Sequence, residues 1–169
     1  MTDSVIQGAN WWCDTLNCRK RMDSVQLPRL NKARDAFVAG GGFFRMSMPG
    51  EIEELEARLS LRGSHEDLRG LFGREPGDWT TFTYYERLRD LMAGVNRGRV
   101  VTLVGLVQEV EQPRVTGKRA DVSNYTFGSI IRYRDVVDGK LVHLMDFDNN
   151  RLVMSGVDYS AEHNRLIAA

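Results

Sequence analysis

Five segments of the chain have the β-branched, aromatic and other apolar residues that are typical of β-strands. The segments are 79–87, 99–111, 125–137, 141–147 and 151–154. Val100–Val107, inside the second segment, is apolar on both faces, so it needs a cover on each side, from its own domain or from a neighbouring chain. Asp138-Gly139 predicts a tight hairpin turn between the third and fourth segments. The chain is therefore expected to be mainly β.

Residues 51–62 fit two different periodicities. A helix would place Ile52, Leu55 and Leu59 on one stripe, and the residue types of the segment favour it. A strand would instead place Leu55 and every second residue through Leu61 on one face. Because Leu61 fits only the second pattern, we predict a strand.

Two short helices are expected. The first begins at Ser64, whose hydroxyl can cap it, and ends at Gly73. Its inward-facing side chains are Leu68, Leu71 and Phe72. The second covers about residues 158–166, at the end of the chain.

The first 30 residues predict a hairpin. Asn10–Cys13 and Arg19–Met22 are its two strands, and Asp14–Asn17 supplies the polar turn between them. Pro28 then interrupts any further pairing, because proline has no amide hydrogen to donate.

A glycine triplet, Gly40-Gly41-Gly42, precedes two phenylalanines, Phe43 and Phe44. Glycine has little conformational preference, and two phenylalanines beside such a segment are costly unless another surface covers them. We therefore expect a mobile excursion at about residues 38–50.

Length and charge narrow the possible functions. The chain has 169 residues, which favours a single domain over residues 1–169. Its formal net charge is zero, so a protein that clamps nucleic acid by bulk positive charge is disfavoured. Charge nevertheless alternates along the chain, with net values of +3, −4, +4 and −3 over residues 1–50, 51–90, 91–134 and 135–169. Such blocks suit surfaces that meet complementary surfaces of other copies, although a solvated surface with random clustering is the simpler alternative.

Targeting signals are absent from the sequence. No run approaches the roughly 20 apolar residues of a membrane-spanning helix, and the first residues lack the basic and apolar regions of a signal peptide. We therefore expect synthesis and folding in a cytosol and no membrane binding. Cys13 and Cys18 fit this as free thiols, with a disulfide across the hairpin as the alternative outside the cell.

No pattern of catalytic, metal-binding or cofactor-binding residues emerges. His65, His143 and His163 lie far apart, and Cys13 and Cys18 have no second pair to complete a zinc site. Nucleophile-elbow, phosphate-loop and dinucleotide motifs are missing from the sequence. We expect neither an enzyme nor a cofactor.

The order of several short motifs resembles the major tail tube protein of contractile-tailed bacteriophages. The family's Val-x-Leu-Pro-Lys-Leu is similar to Val25–Leu30, and its Ala-Gly-Gly to the glycine triplet. Leu55-Glu56-Ala57 and Leu71-Phe72-Gly73 follow in family order. Near the end, Asp146–Asn150 with Ser155–Asp158 resembles the family's closing motif. No single motif is specific, but their order and spacing cover nearly the whole chain.

The resemblance implies a small β-sandwich or barrel with a short helix at its side and a short C-terminal helix. Six copies would form a ring, and stacked rings would form a hollow tube inside the contractile sheath. The implied partners are other copies of the chain, the tail sheath protein, the tape-measure protein in the lumen, the baseplate and tail terminator proteins, and viral DNA in transit. The implied location is the virion tail, assembled in the cytoplasm of the bacterial host.

Two sets of residues are expected to serve this assembly. The excursion would reach the next ring through Gly40, Gly41, Gly42, Phe43, Phe44, Met46 and Met48. Moving DNA must not adhere to the lumen, so an acidic or neutral lining is favoured. The lining candidates are Glu54, Glu56 and Asp146.

Two alternatives remain open. The same fold could form the tube of a phage-tail-like bacteriocin or of a secretion system. A monomeric β-barrel that binds nucleic acid is the alternative from another class. It would use Trp11, Trp12, Tyr84 and Tyr85 for stacking beside Arg97, Arg99, Arg132 and Arg134.

Overall fold

A computed structural model describes residues 3–169 and shows a mainly antiparallel β fold, with 59% of these residues in strands and 10% in helices. The strands are β1 (Ser4–Cys13), β2 (Leu16–Asn17), β3 (Met22–Gln26), β4 (Lys32–Val38), β5 (Arg45–Ile52), β6 (Ala57–Arg62), β7 (Thr80–Asp90), β8 (Asn96–Glu111), β9 (Val115–Thr116), β10 (Arg119–Ala120), β11 (Val122–Val137), β12 (Lys140–Asp146), β13 (Arg151–Met154) and β14 (Val157–Asp158). The helices are α1 (Glu66–Gly70), which continues into a 3-10 turn at Leu71–Gly73, and α2 (Ser160–Ile167).

Ten strands form one branched sheet. Its main path runs in the order β14-β13-β12-β11-β8-β7-β1-β2. The branch point is β11, whose 16 residues pair with β8 along one edge. On its other edge, residues 122–127 pair with β6, which in turn pairs with β3, whereas residues 132–137 pair with β12. The two halves of β11 therefore have different neighbouring strands on this edge.

The sheet curls around an aromatic core. Trp11 on β1 stacks on Phe127 of β11, with ring centroids 5.3 Å apart, and both side chains are fully buried. In a flat sheet these two strands would lie about 14 Å apart, because β7 and β8 separate them. Phe82 on β7 completes the stack, 4.3 Å from Phe127. Curling thus brings the inward faces of four strands onto one cluster, which explains why Trp11 is a core residue.

A bulge divides β11 at the branch point. The pairing with β8 shifts between Gly128 and Arg132, and Ser129 has a positive φ of 46°. Here the two backbones approach closely: a Cβ on Gly105 of β8 would lie 2.7 Å from the carbonyl oxygen of Gly128. Glycine at position 105 is therefore required by space.

Most predicted strands are confirmed. The five predicted strand segments match β7, β8, β11, β12 and β13 to within a few residues at their ends. Asp138 and Gly139 both have positive φ and form the tight turn before β12, as expected. The strand prediction for 51–62 is confirmed from Ala57 onward, because Ala57, Leu59 and Leu61 are buried on one face of β6.

The N-terminal hairpin differs from the expectation. Its turn lies at Asp14-Thr15, and β2 returns immediately with Leu16 pairing Cys13. Arg19–Met22 is therefore not the return strand; residues 19–21 form a turn that leads to β3, which pairs with β6. Both cysteines are buried free thiols, and burial raises the pKa of Cys13.

Two further details are corrected. Ser64 does not cap α1, which begins at Glu66 after His65 and has no side-chain cap. Phe72 points outward and is 56% exposed, because the chain tightens to a 3-10 turn after Gly70 and rotates that residue off the inward stripe.

In α2, the Asp158 carboxylate accepts hydrogen bonds from the amides of Ser160 and Ala161 and starts the helix.

The segment predicted as an excursion at about 38–50 lies within a paired β-hairpin, β4–β5, which forms a separate two-stranded sheet. Gly41 has φ of 80°, and the Gly42 amide donates to the Ala39 carbonyl at 2.8 Å, so the glycine triplet closes a turn. Strand pairing resumes between Arg45 and Val38. The mobility of this hairpin in the free chain stays a prediction.

The close approach at Gly105 generates the first prediction. Gly105→Ala is expected to lower the free energy of unfolding by roughly 1–3 kcal/mol, because its new methyl group meets backbone that cannot move without disturbing the bulge. Gly98→Ala is the matched control, since Gly98 lies on the same strand and a Cβ added there would meet no atom within 4 Å. Urea unfolding of both variants measures the difference, and equal stabilities would contradict the account.

Candidate functional site

The β4–β5 hairpin, which we call the arm (Lys32–Ile52), exposes several large apolar side chains. Phe43 and Phe44 at its turn are 99% and 87% exposed. Phe37 and Met46 are cross-strand partners, and Met48 follows on the same face. A two-stranded hairpin is marginally stable by itself, and exposed apolar surface of this kind marks an interaction site. The structure therefore brings together on the arm every residue predicted to contact the next ring.

A groove of about 830 Å³ lies beside the base of the arm, and it is referred to below simply as the groove. Its walls come mainly from residues 50–55, the β11 bulge, the stretch from the end of β12 to the start of β13, and the start of α2, and Lys32 and Trp79 complete the lining. Its apolar lining includes Ile52, Leu55, Trp79, Ile130, Met145, Phe147 and Tyr159. The groove lies where β11 changes partners at the bulge, between β12–β13 and the segment that leads into β6.

The predicted lumen residues are separated by the structure. Glu54 and Asp146 both line the groove. Glu54 accepts a hydrogen bond from the Ser129 amide at 3.3 Å. Glu56 is not among the groove residues and pairs with Arg58 at 2.8 Å on the exposed face of β6.

Asp146 holds one wall of the groove in shape. Its carboxylate accepts hydrogen bonds from the backbone and side chain of Asn149 at 3.2 and 2.8 Å, and it pairs with Arg132 at 3.2 Å. Partial burial raises the pKa of Asp146, but these hydrogen bonds and the arginine outweigh it and leave the pKa below its ordinary value. The carboxylate is therefore bound in its charged form.

Sequence reasoning missed a second exposed surface, the β7–β8 tip, formed by the end of β7 from Arg87, the turn Leu91–Val95, the start of β8 and the start of β1. Met92 is 86% exposed and Leu91 59%. The turn is nonetheless ordered: Asp90 accepts hydrogen bonds from the amides of Met92 and Ala93, which lower its pKa. The signal in the sequence is an apolar pair, Leu-Met, placed between two strands where polar turn residues are usual.

The nucleic-acid alternative loses two of its four proposed stacking residues. Trp11 and Tyr84 are core residues, 0% and 6% exposed, because both side chains point into the curled sheet. Arg99 is also engaged, donating to Asp135 at 2.7 Å and lying 3.6 Å from Glu86. These side chains cannot present flat rings and free cations to bases, so the arrangement proposed from the sequence is wrong for them.

Within residues 3–169, no cluster of three or more histidine, cysteine or acidic side chains is placed to hold a metal ion. Over the same residues, none of the helices is long and apolar enough to cross a membrane.

Comparisons with known proteins bear on the fold and the family. A family model described as phage tail tube protein FII matches residues 3–167. No curated protein matches the chain significantly. Among solved structures, a chain of the extended PVC sheath–tube complex of an extracellular contractile injection system superposes with a TM-score of 0.54 at 13% identity, covering 76% of this chain and 87% of that one. A chain of the extended PVC sheath/tube terminator gives 0.53 at 12%, covering 76% and 91%. At these identities the superpositions show a shared fold.

The role of Asp146 gives a pH prediction. A pKa held below its ordinary value in the folded chain contributes stability above about pH 4, and this contribution is lost as pH falls through the folded value. Asp146→Asn should therefore cost about 1 kcal/mol of unfolding free energy at pH 7 and progressively less toward pH 2. Asp148→Asn, at an exposed position two residues later, is the control and should change little at either pH. A constant difference between wild type and Asp146→Asn across this range would contradict the assignment.

Proposed function

Because this chain belongs to the phage tail tube protein FII family, we propose that it forms the inner tube of a contractile tail particle. In this proposal six copies make a ring, and rings stack into a hollow conduit enclosed by a sheath. The family match across residues 3–167 carries the proposal, and the fold shared with chains of a contractile injection system supports it. The protein acts as a structural conduit without catalysis.

The arm is the element that we propose to join one ring to the next. Its apolar side chains contribute nothing to the core of their own chain, and Phe43 at 99% exposure is as uncovered as a side chain can be. Another copy that covers them would gain roughly 25 cal/mol for each Å² of apolar surface removed from water. Stacking therefore supplies the cover that the isolated chain lacks.

The proposal extends to partners and cargo. The sheath protein would surround the tube, the tape-measure protein and then viral DNA would occupy the lumen, and baseplate and terminator proteins would close the ends. A lining without clustered cations lets phosphates slide past. Of the three acidic lining candidates, Glu56 stays exposed outside the groove.

A tube of a bacteriocin or an extracellular injection system is the second candidate, favoured by the likeness to the PVC structures. The two candidates share the tube and differ in cargo. The cargo of purified particles distinguishes the two candidates. DNA along the lumen of the tail during ejection supports a phage, whereas contracted particles free of DNA support an injection device.

Changing the arm tests assembly directly. Phe43→Ser with Phe44→Ser should abolish tubes in negative-stain images and leave the free energy of unfolding within about 0.5 kcal/mol of wild type, because both side chains are exposed in the single chain. Phe72→Ser, an exposed phenylalanine outside the arm, is the control and should assemble normally. Normal tubes from the double variant would remove the arm from the interface.

Hydrogen exchange tests whether the arm orders on stacking. The backbone amides of residues 38–50 should exchange rapidly in the free subunit and slowly in the tube, because only the assembled state buries the hairpin. Amides of β8 serve as the internal control and should be protected in both states. Equal protection of the arm in subunit and tube would show that it does not order on assembly.

A further inference from the structure

The tip and the groove carry opposite unpaired charges. At the tip, Arg87 and Arg89 both donate to the side-chain oxygen of Asn96, at 3.2 and 3.3 Å, and neither has a carboxylate within 4 Å among residues 3–169. At the groove, Glu51, Glu53 and Glu54 have no cation within 4 Å in the same part of the chain. Each surface thus holds charged groups that its own chain does not neutralise.

Counting the charged residues more widely also gives a net positive tip and a net negative groove. Three arginines near the tip, including Arg97, exceed the two aspartates Asp3 and Asp90 by one. Around the groove, the three glutamates and Asp146 exceed Lys32 and Arg151 by two. Both surfaces also contain exposed or half-exposed apolar side chains, with Leu91 and Met92 at the tip and Trp79 in the groove.

The two surfaces cannot meet within one chain. Trp79 immediately precedes β7 and the tip immediately follows it, and an 11-residue strand is about 36 Å long. A partner must therefore supply the missing half of each contact.

We propose that the β7–β8 tip of one copy docks into the groove of the next copy, head to tail. Leu91 and Met92 would enter the apolar part of the groove, while Arg87 and Arg89 would face Glu51 and Glu53 on its rim. This inference rests on the proposed function, and it names the surfaces through which copies associate.

Charge also selects the head-to-tail arrangement over a two-fold dimer. A tip against a tip, or a groove against a groove, places like charges together, which is unfavourable. A contact between two different surfaces leaves one tip and one groove free at the ends, so it continues into a closed ring or an open stack. The base of the arm forms part of the groove, so the arm adjoins the docked tip. Glu54 and Asp146 then belong to a contact between copies.

Charge reversal provides the test. Arg87→Glu with Arg89→Glu gives a tip variant, and Glu51→Arg with Glu53→Arg gives a groove variant. Each alone should raise the concentration for half-assembly, measured by light scattering and sedimentation, by about tenfold or more, the equivalent of 1.4 kcal/mol. Arg114→Glu with Lys118→Glu changes the net charge as the tip variant does, at exposed positions outside both surfaces, and should assemble like wild type.

An equimolar mixture of the tip and groove variants decides the matter. In the mixture, the reversed tip meets the reversed groove and the unchanged tip meets the unchanged groove, so assembly should return to within about threefold of wild type. Circular dichroism of each variant confirms that it is folded.

Failure of the mixture to recover, with both variants folded, would overturn the docking arrangement, as would single variants that assemble like wild type. In either case tubes formed by the wild-type chain would leave the proposed function intact. A wild-type chain that stays monomeric at every concentration would remove both proposals.

Discussion

The rest of the structure depends on the bulge in β11, where one 16-residue strand changes its neighbour from β6 to β12 while keeping β8 on its other edge. The bulge is possible because Gly105 allows the Gly128 carbonyl to approach β8 closely. It lets the sheet branch, so that β6 and β3 pack against the core built on β1, β7, β8 and β11 while the other branch carries β12 to β14. The groove lies between that second branch and the segment that leads into β6.

The chain buries one core well and leaves other apolar surface uncovered. Trp11, Phe82 and Phe127 stack without exposure, whereas Phe43 and Met92 lie almost entirely in water. A single copy therefore buries its interior well but leaves large apolar side chains exposed, as is expected of a subunit whose stable state is an assembly. In the proposed assembly, the arm supplies apolar contact, and the tip and groove supply charge that sets direction.

Strand-forming residue types and turn chemistry were sufficient to predict β7, β8, β11, β12 and β13, since each depends on local residue pattern. What patterning could not supply was the partner of each strand: β3 pairs with β6 rather than β1 because curling brings distant segments together. Curling is also the reason why Trp11 and Tyr84, expected from the sequence on a binding surface, are core residues. At the site, the glycine triplet and the phenylalanines that follow it predicted the arm. The groove could not be predicted, because its lining residues lie between positions 32 and 163 and no local sequence pattern connects them. The tip escaped notice because its apolar pair lies in a turn.

Cryo-electron microscopy of the polymer formed by the wild-type chain tests the central claim most directly. We predict a hollow tube of stacked six-fold rings in which Phe43 and Phe44 are buried against another copy. Closed two-fold dimers, or a tube in which the arm points into solvent, would contradict this prediction.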